Sequence, residues 1–297
     1  MAILTLTLNP AIDLETTVDT LIPGQKLRCP EPRRDPGGGG INVARAVTLL
    51  GGQATAVIAT NGSTLGSLLK ARGVPVVQLP GPGSTRQNLS VIETATGHQY
   101  RFIFPGPAWS GADVAATTGR LTGHISPGDI VVFSGSLPPG MTAAQLRDMA
   151  DQVGAAGAQV VIDTSGDALR LMSEGQGGYA MLRMDSHEAH ALVGHDLPDR
   201  ADTARVARDL VARGVAQRVI IARGADGSVM ATPDGVWFAP AVDVPVASVT
   251  GAGDSFVAGA VLAMDRGADA PGILQWGCAA ASAAVTTEAT ELCDKAV

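Results

Sequence analysis

The sequence predicts an α/β protein built on a doubly wound, mostly parallel β-sheet with helices on both faces. Short aliphatic runs alternate with longer stretches of helical period, and predicted strands such as IVVFS and QVVIDT are almost wholly apolar. Continuous apolar strands are typical of parallel sheets that are covered on both faces. Apolar residues make up 45% of the 297 residues and charged residues only 16%, which excludes a disordered chain and allows a sizeable core.

The predicted elements follow one another in a β-then-α order along the chain. The predicted strands are residues 3–8, 53–58, 129–134, 159–163 and 218–222. The predicted helices are residues 40–50, 65–72, 143–153, 200–212 and 254–263.

One segment departs from this order, because residues 85–104 have the pattern of a hairpin that turns at Thr96 and Gly97. With residues 12–18 and part of 25–36, the hairpin predicts a small second sheet. We therefore expect a single α/β domain over residues 1–297, with a lid inserted from about 11–35 and 85–105. The same sheet could also serve as a dimer surface.

Composition excludes several classes of function. The net charge of −7 argues against nucleic acid as a partner, because neutralising phosphates requires clustered cations. The chain has no run of 18 apolar residues and no visible secretory signal, so we expect no membrane association and a cytoplasmic location. Cys29, Cys278 and Cys293 are too few and too scattered for a disulfide framework or a zinc site.

The strongest local signal is Thr250-Gly-Ala-Gly-Asp-Ser255, which leads directly into an apolar helix. Free backbone N–H groups and the helix dipole would make the start of this helix an anion-binding site. Asp254 in the same turn could take a proton from a hydroxyl while those N–H groups hold a phosphoryl group. Asp254 could equally be an ordinary N-terminal cap.

Two other glycine-rich segments could approach a ligand closely. Pro36-Gly-Gly-Gly-Gly-Ile-Asn-Val-Ala-Arg45 places four glycines before a helix, with Asn42 and Arg45 on one helical face. Ser134-Gly-Ser-Leu-Pro-Pro-Gly140 follows a predicted parallel strand, which is where ligands bind in open α/β sheets. Alone, the glycine run is more often a flexible turn, and the second segment is equally well explained as a plain strand-to-helix turn. Neither a dinucleotide fingerprint nor a P-loop motif is present.

Four motifs in this order resemble the ribokinase-like sugar kinases of the PfkB family: LNPAID with Asp13, GGGGINVAR, SGSLPPG and TGAGDSF. The resemblance covers nearly the whole chain. KLRCPEP, TRQNL and QYRFIFPG are similar to the minor 6-phosphofructokinases of that family. The resemblance implies a Rossmann-like core with a β-sheet lid, and an enzyme that transfers a phosphoryl group from ATP to a sugar hydroxyl.

The resemblance also implies roles for residues at the sugar side. Asp254 becomes the general base, and the anion hole is formed by Gly251, Ala252 and Gly253. The acceptor sugar would be held by Asp13, Gly38, Gly39 and Asn42. Its existing phosphate would meet Lys26, Arg86 and Ser136.

The nucleotide side departs from the family pattern. Relatives carry Lys-Pro-Asn-x-x-Glu, whereas this chain has Arg183-Met-Asp-Ser-His-Glu188. The resemblance implies that Arg183 and Asp185 face the nucleotide and that Glu188 organises Mg²⁺ through water, with Asp185 adding a negative charge. Gly224 and Gly227 match a turn beside the nucleotide.

A monovalent-cation site, for potassium, is implied beside the anion hole by positions matching Ser248, Thr250, Ala284 and Thr287. The family continues with glycine and arginine where this chain has Ala289 and Glu291. The exposed apolar face expected of the hairpin predicts a homodimer that pairs the lids.

The expected reaction is ATP-dependent phosphorylation of fructose 6-phosphate to fructose 1,6-bisphosphate. Tagatose-6-phosphate kinase and 1-phosphofructokinase remain alternatives, because they share almost the same set of cations. A weakly active sugar-phosphate-binding protein is the alternative of a different class, favoured by the altered stretch from Arg183 and disfavoured by the intact Asp254.

Overall fold

The computed structural model describes residues 1–287 and 291–293. Its strands, in chain order, are β1 (Ile3–Thr7), β2 (Ala11–Val18), β3 (Arg33–Gly37), β4 (Ala54–Ala59), β5 (Val76–Leu79), β6 (Arg86–Glu93), β7 (Gln99–Phe102), β8 (Ile130–Ser134), β9 (Gln159–Asp163), β10 (Met181–Asp185), β11 (Val219–Ala222), β12 (Ser228–Thr232) and β13 (Gly235–Ala239). Its helices are α1 (Gly39–Leu49), α2 (Thr64–Ala71), α3 (Gly111–Thr122), α4 (Ala143–Ala155), α5 (Gly166–Met172), α6 (Ser186–Val193), α7 (Arg200–Ala212), α8 (Ala252–Asp265) and α9 (Ala270–Val285).

The large sheet has nine strands in the order β13-β12-β11-β10-β9-β8-β1-β4-β5. The seven strands from β11 to β5 are all parallel, and β12 and β13 add an antiparallel edge. This confirms the predicted doubly wound, mostly parallel sheet. All five predicted strands and all five predicted helices are present, with ends that differ by a few residues at most.

The core lies in two layers, one on each face of this sheet. Successive residues of β8 pack into alternate layers. Ile130 and Val132 belong to one layer, and Val131 and Phe133 belong to the other. Residues of α1, α2, α8 and α9 complete the first layer, and residues of α3 to α7 complete the second. Covered faces on both sides are the reason that these strands are almost wholly apolar.

The predicted small sheet is also present, with four strands in the order β3-β2-β6-β7. Its facing pairs place polar residues on one side: Asp13 lies opposite Asn88, and Ser90 opposite Arg101. The neighbouring register positions carry apolar residues, and Leu89 lies opposite Phe102. Phe102 is 47% exposed, so the second face of this sheet presents large apolar side chains to solvent.

Among the helices that the structure describes, none combines the length and the apolar character needed to cross a membrane.

Candidate active site

The carboxyl ends of neighbouring parallel strands bring the predicted motifs together. The glycine run lies between the end of β1 and the end of β8, where its backbone packs against both. A Cβ atom on Gly39 would lie 2.7 Å from the backbone nitrogen of Gly135, and a Cβ atom on Gly40 would lie 2.6 Å from the carbonyl oxygen of Leu6. Gly38 has a φ of 122°, which L side chains rarely adopt. The run is therefore closely packed, and the explanation as a flexible turn is wrong.

Asp254 lies in the first turn of α8, whose N-cap residue Gly251 has a φ of 80°, and no side chain caps this helix. The Asp254 carboxylate does not bond to its own helix. Its Oδ2 atom instead accepts a hydrogen bond of 2.9 Å from the Nδ2 atom of Asn42 on α1. The explanation of Asp254 as an N-terminal cap is therefore wrong, and this carboxylate faces the cleft between α1 and α8.

The environment of Asp254 raises its pKa to about 7. Burial is the main cause, and the nearby negative charge of Asp163 adds to it. The hydrogen bond from Asn42 and the positive charges of Arg183 and Arg45 act in the opposite direction. A carboxylate with a pKa near neutrality can accept a proton from a hydroxyl far better than an ordinary aspartate can.

Arg183 lies over the start of α8. Its Nη1 atom is 3.3 Å from Oδ1 of Asp163, at the end of β9, and a Cβ atom on Gly253 would be 3.1 Å from the same guanidinium. Ser134 donates a hydrogen bond of 2.9 Å to the other oxygen of Asp163. A helix N-terminus with a fixed cation beside it is a site for an anion.

The inner face of the small sheet forms the opposite wall of the cleft. Asp13 is half-buried, and its Oδ1 atom accepts a hydrogen bond of 2.8 Å from Asn88. The remaining wall includes Asn42, Arg101 and Gly251. Carboxylate, amide and guanidinium groups here can bind the hydroxyls of a polar ligand.

Arg86 joins the small sheet to the large one at one end of this cleft. Its Nε and Nη2 atoms donate to the carbonyl oxygen of Asn9, and its Nη1 atom donates to that of Phe104. The Asn9 amide donates in turn to Oγ of Ser136, at 3.3 Å. Burial lowers the pKa of Arg86. Lys26 is exposed in the loop between β2 and β3, and within the described part of the chain no hydrogen bond or ion pair joins it to this group.

The stretch from Arg183 to Glu188 folds as a strand end followed by a helix cap. Asp185 is the N-cap of α6, and its carboxylate accepts from the backbone N–H of Glu188 at 2.8 Å. The Glu188 carboxylate accepts from the backbone N–H of Asp185, also at 2.8 Å. Burial raises the pKa of Glu188. An aspartate caps a helix as well as an asparagine does, so the departure from the family residue preserves the local structure.

Gly224 begins a short 3-10 turn between β11 and β12, and Gly227 follows its last residue. A Cβ atom on Gly227 would collide with the carbonyl oxygen of Ala239, so this glycine is required by packing. No cluster of three or more His, Cys, Asp or Glu side chains suited to hold a metal ion occurs within residues 1–287 and 291–293.

The residues matched to a monovalent-cation site lie near one another. The backbone N–H of Ser248 donates to the carbonyl of Val285, at the end of α9. The Ser248 hydroxyl accepts from the N–H of Thr250, and the Thr287 hydroxyl donates to the carbonyl of Ala284. Ala289 lies outside the described residues.

Comparison with known proteins agrees with this arrangement. The model of the pfkB family carbohydrate kinases matches residues 6–296. The chain belongs to the pfkB family of carbohydrate kinases.

Its similarity to individual pfkB kinases extends over nearly the whole chain. It is 38% identical to an ATP-dependent 6-phosphofructokinase isozyme 2 of Mycobacterium tuberculosis, covering 99% of this chain and 86% of that protein. It is 34% identical to a 1-phosphofructokinase of Xanthomonas campestris, covering 88% and 83%. The crystal structure of phosphofructokinase-2 from Escherichia coli in complex with fructose-6-phosphate has a TM-score of 0.90 and 36% identity, with 99% and 95% covered.

Three polar residues of this pfkB kinase cleft were missed in the sequence. Asp163 links Arg183 to Ser134, Asn88 bonds to Asp13, and Asn9 joins Arg86 to Ser136. Asp163 is the last residue of a predicted strand, and Asn9 closely follows another. A polar side chain at the carboxyl end of a parallel strand is the signal that could have found both. Asn88 has no such local signal.

Proposed function

We propose that this protein catalyses the ATP-dependent phosphorylation of fructose 6-phosphate to fructose 1,6-bisphosphate. One observation carries the proposal: a carboxylate with a pKa of about 7, Asp254, stands at the start of a helix whose N-terminus can bind a phosphoryl group. The similarity to 6-phosphofructokinases of 36–38% over nearly the full length supports the choice of substrate.

In the proposed reaction, Asp254 takes the proton of the sugar hydroxyl as its oxygen attacks the γ-phosphorus of ATP. The new O–P bond forms while the bond from the γ-phosphorus to the β,γ-bridging oxygen breaks, and ADP leaves with those electrons. Gly251, Ala252 and Gly253 supply backbone N–H groups to the transferred phosphoryl group, and Arg183 supplies a positive charge. These groups are in place before the reaction, so little reorganisation is needed.

The sugar would bind in the cleft below the small sheet. Asp13, Asn42 and the backbone of Gly38 and Gly39 would hold its hydroxyl groups. Its existing phosphate would lie at the other end, held by three polar side chains: Lys26, Arg86 and Ser136. Arg86 suits this role because two carbonyl oxygens already orient its guanidinium. Lys26 would have to move toward the phosphate from its exposed loop.

ATP would bind with Mg²⁺ beside Asp185 and Glu188, near the turn from Gly224 to Gly227. Each of these carboxylates uses one oxygen in the helix cap, and the other remains to hold water on the metal. Mg²⁺ would neutralise the phosphate charges during transfer.

For potassium, we propose Ser248, Thr250, Ala284 and Thr287 as the surrounding residues. Hard oxygen atoms from the main chain and from hydroxyls suit such a cation. A phosphofructokinase-2 structure from Escherichia coli in complex with potassium supports this proposal. Activity that is unchanged when potassium is replaced by a bulky organic cation would reject it.

The small sheet would act as a lid and as the contact in a symmetric homodimer. Phe102 and Phe104 are each about half exposed, at 47% and 50%, and two lids could cover these side chains mutually. Light scattering at micromolar concentration should give twice the monomer mass. The variant Phe102→Asp should give the monomer mass, and a monomeric wild-type protein would contradict the proposal.

Steady-state assays with ATP and each of three sugar phosphates test the reaction: fructose 6-phosphate, tagatose 6-phosphate and fructose 1-phosphate. We expect the highest kcat/KM with fructose 6-phosphate. Preference for fructose 1-phosphate would establish the second candidate, a 1-phosphofructokinase, which the Xanthomonas campestris relative favours. Turnover of none of them would favour a sugar-phosphate-binding protein.

A further inference from the structure

Arg45 is a buried cation that the proposed reaction does not use. It lies on α1, one turn after Asn42, and it is only 9% exposed. Its Nη1 atom donates to the Oδ1 atom of Asn42 and to the carbonyl oxygen of Pro36, both at 3.2 Å. Pro36 belongs to β3 of the lid, so the Arg45 guanidinium on α1 links the lid to Asn42, the residue that bonds to Asp254.

The amide oxygen and the amide nitrogen of Asn42 form hydrogen bonds to groups of opposite charge. The amide oxygen accepts from Arg45, and the amide nitrogen donates to Asp254 at 2.9 Å. Rotating the amide by 180° would place its oxygen against the Asp254 carboxylate and its NH₂ group against the guanidinium. Both contacts would then be repulsive, so Arg45 selects the orientation in which Asn42 donates to the base.

We propose that Arg45 is a positioning residue that acts through Asn42: by holding the amide oxygen, it directs the amide nitrogen at Asp254. The inference rests on the proposed role of Asp254 as base. The same guanidinium also bonds to the carbonyl oxygen of Pro36, so the orientation of Asn42 depends on the position of the lid strand β3. Arg45 lines the cleft beside Asn42, and it reaches Asp254 through Asn42 rather than by a hydrogen bond of its own.

The charges around this group come from several elements. Asp254 faces Asp163 on β9 and Arg183 on β10, besides Asn42 and Arg45 on α1. The charged groups near Arg45 include Asp13, Arg33, Asp35 and Arg72. Arg72 pairs with Asp35, so removing Arg72 changes the charge near Arg45 without removing the donor to Asn42.

A pH titration of the Asp254 carboxyl by carbon-13 NMR tests the inference without any substrate, with Asp254→Asn used to assign the signal. Four proteins form a cycle: wild type, Arg45→Gln, Asn42→Ala and the double variant. We expect Arg45→Gln to raise the midpoint by about half to one pH unit. In the Asn42→Ala background the same substitution should have a clearly smaller effect, because only the direct charge effect remains.

Kinetics provide the second readout. With the proposed substrates, kcat of Arg45→Gln should fall about 10-fold, because the base is less well oriented. Arg45→Lys keeps a charged donor and should recover part of the loss in both kcat and the titration. Arg72→Gln is the matched control and should leave both unchanged. Thermal melting of each variant identifies a protein that has failed to fold, and Arg45→Lys then replaces Arg45→Gln in the cycle.

An equal shift of the Asp254 midpoint in both backgrounds would overturn the inference, since Arg45 would then act by its charge alone. A shift caused by Arg72→Gln as large as that of Arg45→Gln would overturn it too. If wild type phosphorylated no sugar phosphate, the proposed function would fail, yet the substrate-free titration would still decide whether Arg45 orients Asn42.

Discussion

The two ends of the cleft are built in different ways. At the sugar end, the key contacts join residues that are far apart in the chain: Asn42 with Asp254, and Asp13 with Asn88. At the nucleotide end, the contact is local, because Asp185 and Glu188 are three residues apart and form a helix cap. The sugar end therefore depends on the whole fold, whereas the helix cap formed by Asp185 and Glu188 depends on one turn. Substitutions should accordingly have large effects on catalysis at the first end and small ones at the second.

The largest effect is expected for Asp254→Asn. The substitution keeps the size of the side chain but removes its ability to accept a proton, so kcat should fall by roughly 10²- to 10⁴-fold. The KM for the sugar should change little, because the amide still fits beside Asn42. Steady-state kinetics with fructose 6-phosphate measure both values, and a variant with near-normal kcat would eliminate Asp254 as the base.

Arg86→Ala and Lys26→Ala test the far end of the sugar site. Each should raise KM for the phosphorylated sugar by about 10- to 100-fold, because a hydrogen bond to a charged group contributes about 1.5–3 kcal/mol. Discrimination against unphosphorylated fructose should shrink in parallel. If both variants lose activity equally on fructose and on its phosphate, these cations do not recognise the phosphate.

The protonation of Asp254 should affect folding and catalysis in opposite ways, because the protonated form stabilises the folded protein and the ionised form acts as the base. Its folded-state pKa of about 7 exceeds that of the unfolded chain, so its contribution to stability is complete at low pH and is lost as pH rises toward 7. The Asp254→Asn variant should not lose stability in this way, because an amide does not ionise in this pH range. Because Asp254 is only partly buried, water screens its charge. We therefore expect the free energy of unfolding of the variant, relative to that of the wild type, to rise by only roughly 1–2 kcal/mol between pH 5 and pH 8. Urea unfolding at the two pH values measures it, and a constant difference would contradict the raised pKa.

The smallest effect is expected at the nucleotide end. Asp185→Asn keeps the helix cap and removes one negative charge, so metal-free ATP should bind more tightly by about 1 kcal/mol, the Coulomb energy of one charge pair near 4 Å in water. The sugar KM should not change. Titrating ATP with and without Mg²⁺ measures the effect.

Asp199→Asn is the matched control for that experiment, because Asp199 caps α7 in the same way through Asp202. It should leave ATP affinity unchanged. Equal metal-free affinities for wild type and Asp185→Asn would show that Asp185 does not face the nucleotide, and the motif match from Arg183 to Glu188 would have to be abandoned.

The parallel sheet was predictable because strands that are buried on both faces have continuous apolar runs, as in IVVFS of β8. α9 was not predicted, since its segment APGILQWGCAAASAAV is apolar almost all round and has no clear period. β12 and β13, the antiparallel edge of the sheet, were also missed, since no helix separates them and the β-then-α order therefore does not indicate them.

In the site, motif order was enough to select Asp254 and Asn42, but the bond between them depends on tertiary packing across 212 residues. The link from Asp163 to Arg183 was missed for the same reason, since Asp163 ends β9 and Arg183 lies within β10. Lys26 is the opposite case, because the motif selects it and the fold leaves it exposed in a loop.

The most direct test of Asp254 as the base is the pH dependence of kcat/KM for fructose 6-phosphate at saturating MgATP. The sugar phosphate itself ionises near pH 6, roughly as a phosphorylated side chain does, so kcat/KM is expressed per dianion. We expect a tenfold fall per pH unit on the acid side, with a midpoint near the Asp254 pKa of about 7. A profile that stays flat from about pH 5.5 to 8.5 would contradict the account, because the group accepting the proton would then not be this buried carboxylate.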